Sequence, residues 1–240
     1  MNDNVKKYSR PCFLEFENSE ELVSKLASRV SQLLAEGIAK RGRASLAVSG
    51  GSTPVPLFQA LSCIDLQWER VVITLVDERW VDVAEEQSNE HLVRTYLLRN
   101  KAAQAVFVGM KTSDVSARAA EKECSERLQS VPRPFDVLVL GMGNDGHTAS
   151  LFPGSVNLAD AVDRDAGKTC ICIVPSPAPH ERMTLTLPTL LDSLQIVVHI
   201  TGNKKREVYA QAEHAGPSEE MPIRFILRQE EVPVDVYWCP

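Results

Sequence analysis

Short apolar runs rich in β-branched residues alternate along this chain with stretches of helical periodicity, and that alternation leaves few architectures open. Val71–Val76 and Phe135–Leu140 carry apolar residues at both sets of alternating positions. Strands made from them must be covered on both faces, as in parallel sheets. Between such runs, apolar residues recur at helical spacing. The pattern is that of an α/β fold, a mostly parallel sheet flanked by helices on both faces.

Strands are expected at Phe13–Phe16, Ala44–Val48, Val71–Val76, Phe135–Leu140, Thr169–Val174, Met183–Leu187, Gln195–Ile200 and Val234–Trp238. The hydrophobicity of Phe135–Leu140 suits a central position. Asn18 and Glu21 read as a capping box before Leu22, Leu26, Val30, Leu33 and Leu34. A second helix is expected over Thr53–Leu61, with Thr53 as N-cap and Pro54 at the tolerated first position. Ser88 would cap a helix to about Leu98 and Ser113 another to about Leu128; Asn203–His214 and Pro222–Arg228 complete the set. No linker, repeat or low-complexity stretch interrupts the 240 residues, so we expect one catalytic domain over 1–240, with 1–10 a flexible N-terminal segment.

A net charge of −6 argues against a nucleic-acid partner, which leaves a basic footprint. It permits a local basic pocket for a small anion. The polar stretch Met1–Arg10 offers no signal peptide, and no apolar run reaches the ~20 residues that span a bilayer. The six cysteines are scattered; Cys170 and Cys172 share a strand face but have no second pair at metal-ligand spacing. A reduced, cytoplasmic setting without a membrane partner is expected, with no metal and no cofactor.

In open α/β sheets, ligands bind beyond the carboxyl ends of the strands, and four unusual polar segments sit at such places. Ser49-Gly50-Gly51-Ser52-Thr53-Pro54 joins a strand to a helix. Its glycines allow close backbone approach, and the helix start offers free N–H groups to an anion. It lacks the lysine of a Walker A loop and the G-x-G-x-x-G spacing of a dinucleotide site. Asp77-Glu78-Arg79-Trp80 follows Val71–Val76; Arg79 can clamp a phosphate or an oxyanion with Asp77 orienting it, a structural salt bridge being the alternative. Gly141-Met142-Gly143-Asn144-Asp145-Gly146-His147-Thr148-Ala149-Ser150 follows the central strand. There His147 is the group that titrates near neutrality, and Asp145 can hold its ring. His91, His180, His199 and His214 are read as structural. The fourth feature is basic: Arg182, and Lys204-Lys205-Arg206 after Thr201-Gly202-Asn203.

There is no G-x-S-x-G elbow for an acyl-serine, no metal-ligand cluster and no cofactor fingerprint. A histidine base, an arginine or backbone electrophile and an anion cradle remain. They suit water attack on an activated carbonyl, or proton transfer next to one.

Ser49–Pro54, Asp77–Val81, Ser88-Asn89-Glu90, Gly141–Gly154 and Arg182–Pro188 resemble, in order and spacing, the successive motifs of the 6-phosphogluconolactonases, from about Phe13 to Trp238. Gly141–Gly154 is the most specific of them. The resemblance implies a NagB-type, Rossmann-like fold and hydrolysis of 6-phosphoglucono-δ-lactone to 6-phosphogluconate, in the pentose phosphate pathway, without metal or cofactor. It makes His147 the general base that activates water, supported by Asp145, with Arg79 binding substrate or stabilising the carbonyl oxygen. Ser49, Gly50, Gly51, Ser52, Thr53, Asp77 and Gly143 would contact the sugar phosphate. Arg182 and Lys204 or Lys205 would meet the phosphate, Lys204 ahead of Lys205. One departure is visible: the chain continues Val81-Asp82-Val83 where the family often has proline. A monomer or weak homodimer is expected.

Glucosamine-6-phosphate deaminase is the nearest alternative, having a similar cradle and Asp-Gly-His segment. The continuation Thr148-Ala149-Ser150-Leu151-Phe152, and Arg79 after Asp77-Glu78, resemble the lactonase instead. A sugar-phosphate sensor is a third reading, but the segment before Phe13 is too short for a DNA-binding module.

Overall fold

The central apolar runs become strands because both of their faces find cover. In this computed structural model, which describes residues 10–175 and 180–240, β2 (Ala44–Val48) and β6 (Val137–Leu140) are buried at every position. They lie at the middle of a seven-stranded parallel sheet with β1 (Cys12–Glu15), β3 (Val71–Leu75), β5 (Val106–Val108), β9 (Ile196–Thr201) and β10 (Val234–Cys239). The order is β1-β10-β9-β6-β2-β3-β5, so Phe135–Leu140 does supply the central strand. From β2 the chain winds outward through β3 to β5, returns to β6, then winds the other way through β9 to β10. The direction of winding therefore reverses between β2 and β6, where open α/β sheets bind ligands.

The helices are α1 (Ser19–Arg41), α2 (Val55–Ser62), α3 (Asn89–Tyr96), α4 (Ala117–Leu128), α5 (Leu158–Val162), α6 (Leu187–Leu191), α7 (Asn203–Glu213) and α8 (Ile223–Leu227). Asn18 caps α1 by accepting from Glu21 N, while the Glu21 carboxylate reaches back to Glu17 N. Gly42, with φ 75°, closes it in the left-handed conformation that glycine adopts without penalty. Ser88 caps α3 through His91 N. Within the described residues, no helix is long and apolar enough to cross a membrane.

Several expectations need correction. Thr53 is not the N-cap of α2; Pro54 holds that position without a side-chain bond, and the helix starts at Val55. Pro54 and Pro56 carry no N–H, so a hydroxyl cap has less to satisfy. Ser116, not Ser113, caps α4 through Ala119 N, because Thr112 and Asp114 bond each other and fold 112–115 into a loop. The central strand starts two residues late, since the buried Asp136 carboxylate turns to Ser45 N and to the Arg41 guanidinium. Asp77–Arg79 is a strand, β4, and Met183–Leu187 shifts to β8 (Arg182–Leu185), with Leu187 opening α6. With β7 (Cys170–Ile173) they form a separate antiparallel sheet, in the order β4-β8-β7. The expectation for 1–10 lies, but for Arg10, outside the described residues.

Candidate active site

The carboxyl ends of β3, β2, β6 and β9 open into a cleft of about 430 Å³. Ser49 sits where β2 ends; its hydroxyl donates to Val139 O at 3.1 Å and accepts from Gly141 N at 3.2 Å, stitching β2 to β6. The turn at 50–53 follows, with Gly51 at φ 95°. Among the described residues, the N–H groups of Gly50, Gly51, Ser52 and Thr53 have no partner, and they border the cleft just ahead of α2. Such a row of free donors favours an anion.

Gly50 is small for a specific reason. A Cβ there would overlap the carboxamide of Asn89. Asn89 donates to Asp77 O at 2.8 Å and to Asp77 Oδ1 at 3.3 Å, and its buried Oδ1 has no partner. Asp77 does not orient Arg79 as expected. Its other oxygen accepts from Ser150 Oγ at 2.5 Å, tying the start of β4 to the loop after β6.

Glu78 is fully buried and accepts from Arg79 N, Asn89 N, Glu90 N and Ser88 Oγ at 2.7–3.0 Å. Burial pushes its pKa up to about 6, against the pull of those four donors. The folded chain thus binds this proton more tightly than the unfolded chain. The associated stability is full below about pH 4.5 and lost as pH rises through 6, by about 2 kcal/mol. Glu78→Gln breaks the network by turning an amide N–H₂ towards donors. We expect it to cost about 2–4 kcal/mol, a penalty about 2 kcal/mol smaller at pH 7.5 than at pH 4.5. Denaturant unfolding of both chains at the two pH values measures this; a pH-independent difference would contradict it.

Arg79 and Arg182 stand opposite each other in the β4–β8 ladder, and both line the cleft. Arg79 donates to Gln87 O at 2.6 Å; the Nε of each arginine is buried without a partner. Burial holds the pKa of Arg182 down, Asp77 opposes that, and the like charge of Arg79 adds to it. Two guanidiniums side by side with unused donors can receive an anion. Arg182 also lies over the Phe152 ring, 5.8 Å from its centroid.

The loop after β6 carries His147. Its Nδ1 lies 2.6 Å from Asp145 Oδ1, which also accepts from His147 N. Burial raises the Asp145 pKa, but the hydrogen bond from the ring and the charge of His147 prevail and bring it down to about 2. Asp145 is therefore an acceptor-only carboxylate, so the proton it binds is the one on Nδ1, and in the neutral ring the lone pair falls on Nε2. The ring packs on Phe152, centroids 4.2 Å apart. The loop is pinned by Gly143 N to His147 O, Thr148 Oγ1 to Gly141 O and Ile223 N to Gly146 O, each at 2.8 Å. Ala149 stands at φ 48°, a left-handed conformation costing a Cβ-bearing residue about 1 kcal/mol, the kind of strain that collects at functional loops.

Of the basic cluster at the start of α7, the cleft receives Lys205, not Lys204. Lys205 Nζ donates to Met142 O at 2.6 Å; burial lowers its pKa and Asp145 opposes the shift. Lys204 is exposed and outside the lining. Arg206 turns away to a two-pronged pair with Glu15 and stacks over Trp238. The cleft thus gathers Ser49, Gly50, Gly51, Ser52, Thr53, Asp77, Arg79, Gly143, His147 and Arg182, with Asp145 behind His147. Lys205 stands there in place of Lys204, and the cleft adds Asn89, Phe152 and His199. Asn89 had a sequence signal in its place beside Ser88; the wedge against Gly50 had none. No group of three or more potential metal ligands occurs among the described residues.

The family model for glucosamine-6-phosphate isomerases/6-phosphogluconolactonase matches residues 17–238. The chain is similar to the 6-phosphogluconolactonase of Rhizobium meliloti, 46% identical over 225 residues, 94% of this chain and 97% of that protein. It is similar also to that of Mesorhizobium japonicum, 41% identical over 227 residues, 94% of each chain. The crystal structure of a 6-phosphogluconolactonase from Shewanella baltica superposes with a TM-score of 0.94 at 45% identity, over 98% of this chain and 100% of that one.

Proposed function

The chain belongs to the glucosamine-6-phosphate isomerase/6-phosphogluconolactonase family, and we propose that it hydrolyses 6-phospho-D-glucono-1,5-lactone to 6-phospho-D-gluconate, a step of the oxidative pentose phosphate pathway. The observation that carries the mechanism is the 2.6 Å contact between His147 Nδ1 and Asp145, at the edge of a cleft lined by cations.

Asp145 holds the Nδ1–H tautomer, so Nε2 takes a proton from water as the oxygen attacks the lactone carbonyl. The carbonyl π pair moves to its oxygen, where the ammonium of Lys205 and the free N–H groups of the 50–53 turn stabilise the negative charge. Collapse breaks the bond from C1 to the ring oxygen. The His147 imidazolium returns its proton to that leaving oxygen, giving the open-chain hydroxyl and the acid. Arg79 and Arg182 hold the phosphate, and Phe152 keeps the His147 ring from tilting away.

Arg182→Ala is expected to raise KM for the lactone by about 10- to 100-fold, the size of a lost charge-assisted bond, with a smaller change in kcat. Gln87 occupies one N–H of Arg79, leaving a fork and not a point charge to the ligand. Arg79→Lys should therefore lose about as much as Arg79→Ala. Full rescue by lysine would show that charge alone suffices.

The activity itself is tested by adding purified protein to freshly made lactone and following proton release above the spontaneous rate, with ammonia release from glucosamine 6-phosphate assayed in parallel. Lactone hydrolysis is expected. Ammonia release without it would overturn the proposal in favour of the deaminase.

A further inference from the structure

His199 lies on β9 and is only 3% exposed, yet it borders the same cleft as His147. Neither of its ring nitrogens has a hydrogen-bond partner, an arrangement that native structures seldom tolerate in a buried side chain. Burial pushes its pKa down to about 4, so near neutrality the ring is uncharged, with one nitrogen donating and the other accepting.

What stands beside the ring decides what it can meet. Leu140 pairs with Val198 across β6 and β9, so one step further Gly141 comes alongside His199. Tyr237 flanks it from β10. Neighbouring strands lie about 4.8 Å apart, and side chains in register share a face. A Cβ at Gly141 would find nothing within 4 Å, so the position next to the imidazole is open space. That space belongs to the cleft, which Gly141 and His199 both line. The sheet thus carries a neutral imidazole with its hydrogen-bonding capacity unspent, next to a hollow kept open by a glycine. A core histidine with a purely structural task needs neither the hollow nor the place on the cleft wall.

We propose that His199 is a further binding residue, holding a hydroxyl group of the sugar that enters the hollow beside Gly141. This rests on the sugar-phosphate reading of the cleft and deepens it. Arg79 and Arg182 take the charge of the phosphate, and His199 recognises the uncharged polyol part. It thereby distinguishes a sugar phosphate from a bare anion. A neutral imidazole suits this task, because it offers a directional donor and acceptor without adding a charge that any anion would satisfy.

The test compares two probes, 6-phosphogluconate and inorganic phosphate, by calorimetry on the wild type, His199→Leu and His199→Gln. Leucine approximates the volume of the ring without its nitrogens; glutamine keeps a donor and an acceptor. We expect His199→Leu to weaken 6-phosphogluconate about 10-fold while the phosphate Kd stays within about 2-fold, and His199→Gln to recover most of the loss. In lactone hydrolysis the loss should fall on KM more than on kcat. His199→Leu should melt no lower than the wild type, because it removes two unpaired nitrogens. Unchanged binding of both probes, or equal weakening of both, would overturn the proposal. Wild-type protein that binds 6-phosphogluconate but leaves the lactone untouched would instead remove the activity and leave His199 to be judged by binding alone.

Discussion

His147→Ala should lower kcat for lactone hydrolysis by about 10²- to 10⁴-fold, the range a positioned general base contributes, with KM within a few-fold of wild type. The size follows from the geometry. In the proposed mechanism Asp145 keeps the proton on Nδ1 and Nε2 is the basic atom, so removing the ring removes both the acceptor for the water proton and its later donor. The arginines and the 50–53 turn are untouched, so binding should survive. Asp145→Asn is the companion. An amide N–H₂ placed at Oδ1 would favour the opposite tautomer and turn the lone pair away from the substrate, so kcat should fall by a similar order although the ring remains. Steady-state kinetics with a folding check by circular dichroism measures both. A His147→Ala chain with near wild-type kcat would remove the role assigned to the ring. A loss confined to KM would make it a binding residue instead.

Gly143→Ala is expected to cost about 10²-fold in kcat without touching a reacting atom. Its Cβ would overlap Nδ1 and Cε1 of His147 and Oδ1 of Asp145. These atoms can give way only by parting from each other, because the loop backbone around them is pinned at Gly141, Gly143 and Gly146. Displacing a catalytic group by about 1 Å costs on that order. Nothing at Gly143 calls for a left-handed backbone, unlike Gly146 at φ 79°, so the fold should tolerate the methyl. The signature is thus a large loss of turnover with a melting temperature lowered by only a few degrees. Wild-type turnover would mean that the pair need not be held so tightly; a collapse in stability would mean that the loop is part of the core.

Six of the seven parallel strands were legible as local apolar runs; β5, three exposed or half-buried residues at the sheet edge, was not. The caps at Asn18 and Ser88 were legible because capping is settled within a few residues. β4 was not. Asp77-Glu78-Arg79 has no apolar alternation, and it becomes a strand only by pairing with Arg182–Thr184, more than a hundred residues away. That pairing also moves Arg182 from the start of a presumed parallel strand to a place beside Arg79. Lys204 and Lys205 could not be separated because the choice depends on where α7 starts, and each helical residue turns its side chain by about 100° from the last. With Gly202 at the N-cap, Lys205 is the one that reaches Met142. His199 reads from the sequence as structural, and it is buried on β9. Its place on the cleft wall comes from a missing side chain on a neighbouring strand, which no window around residue 199 contains.

The hydrogen bonds that frame the cleft join residues far apart along the chain: Asp77 to Ser150 across 73 positions, Ser49 to Gly141 across 92, Lys205 to Met142 across 63. The site is therefore expected to be completed late in folding. Helices and single strands can form while it is still incomplete, since contacts of long sequence separation carry the largest loop-closure cost. Turnover during refolding should lag behind the return of helical signal, and no fragment ending before α7 should hydrolyse the lactone. In this chain, activity reports the completed topology, not the amount of secondary structure.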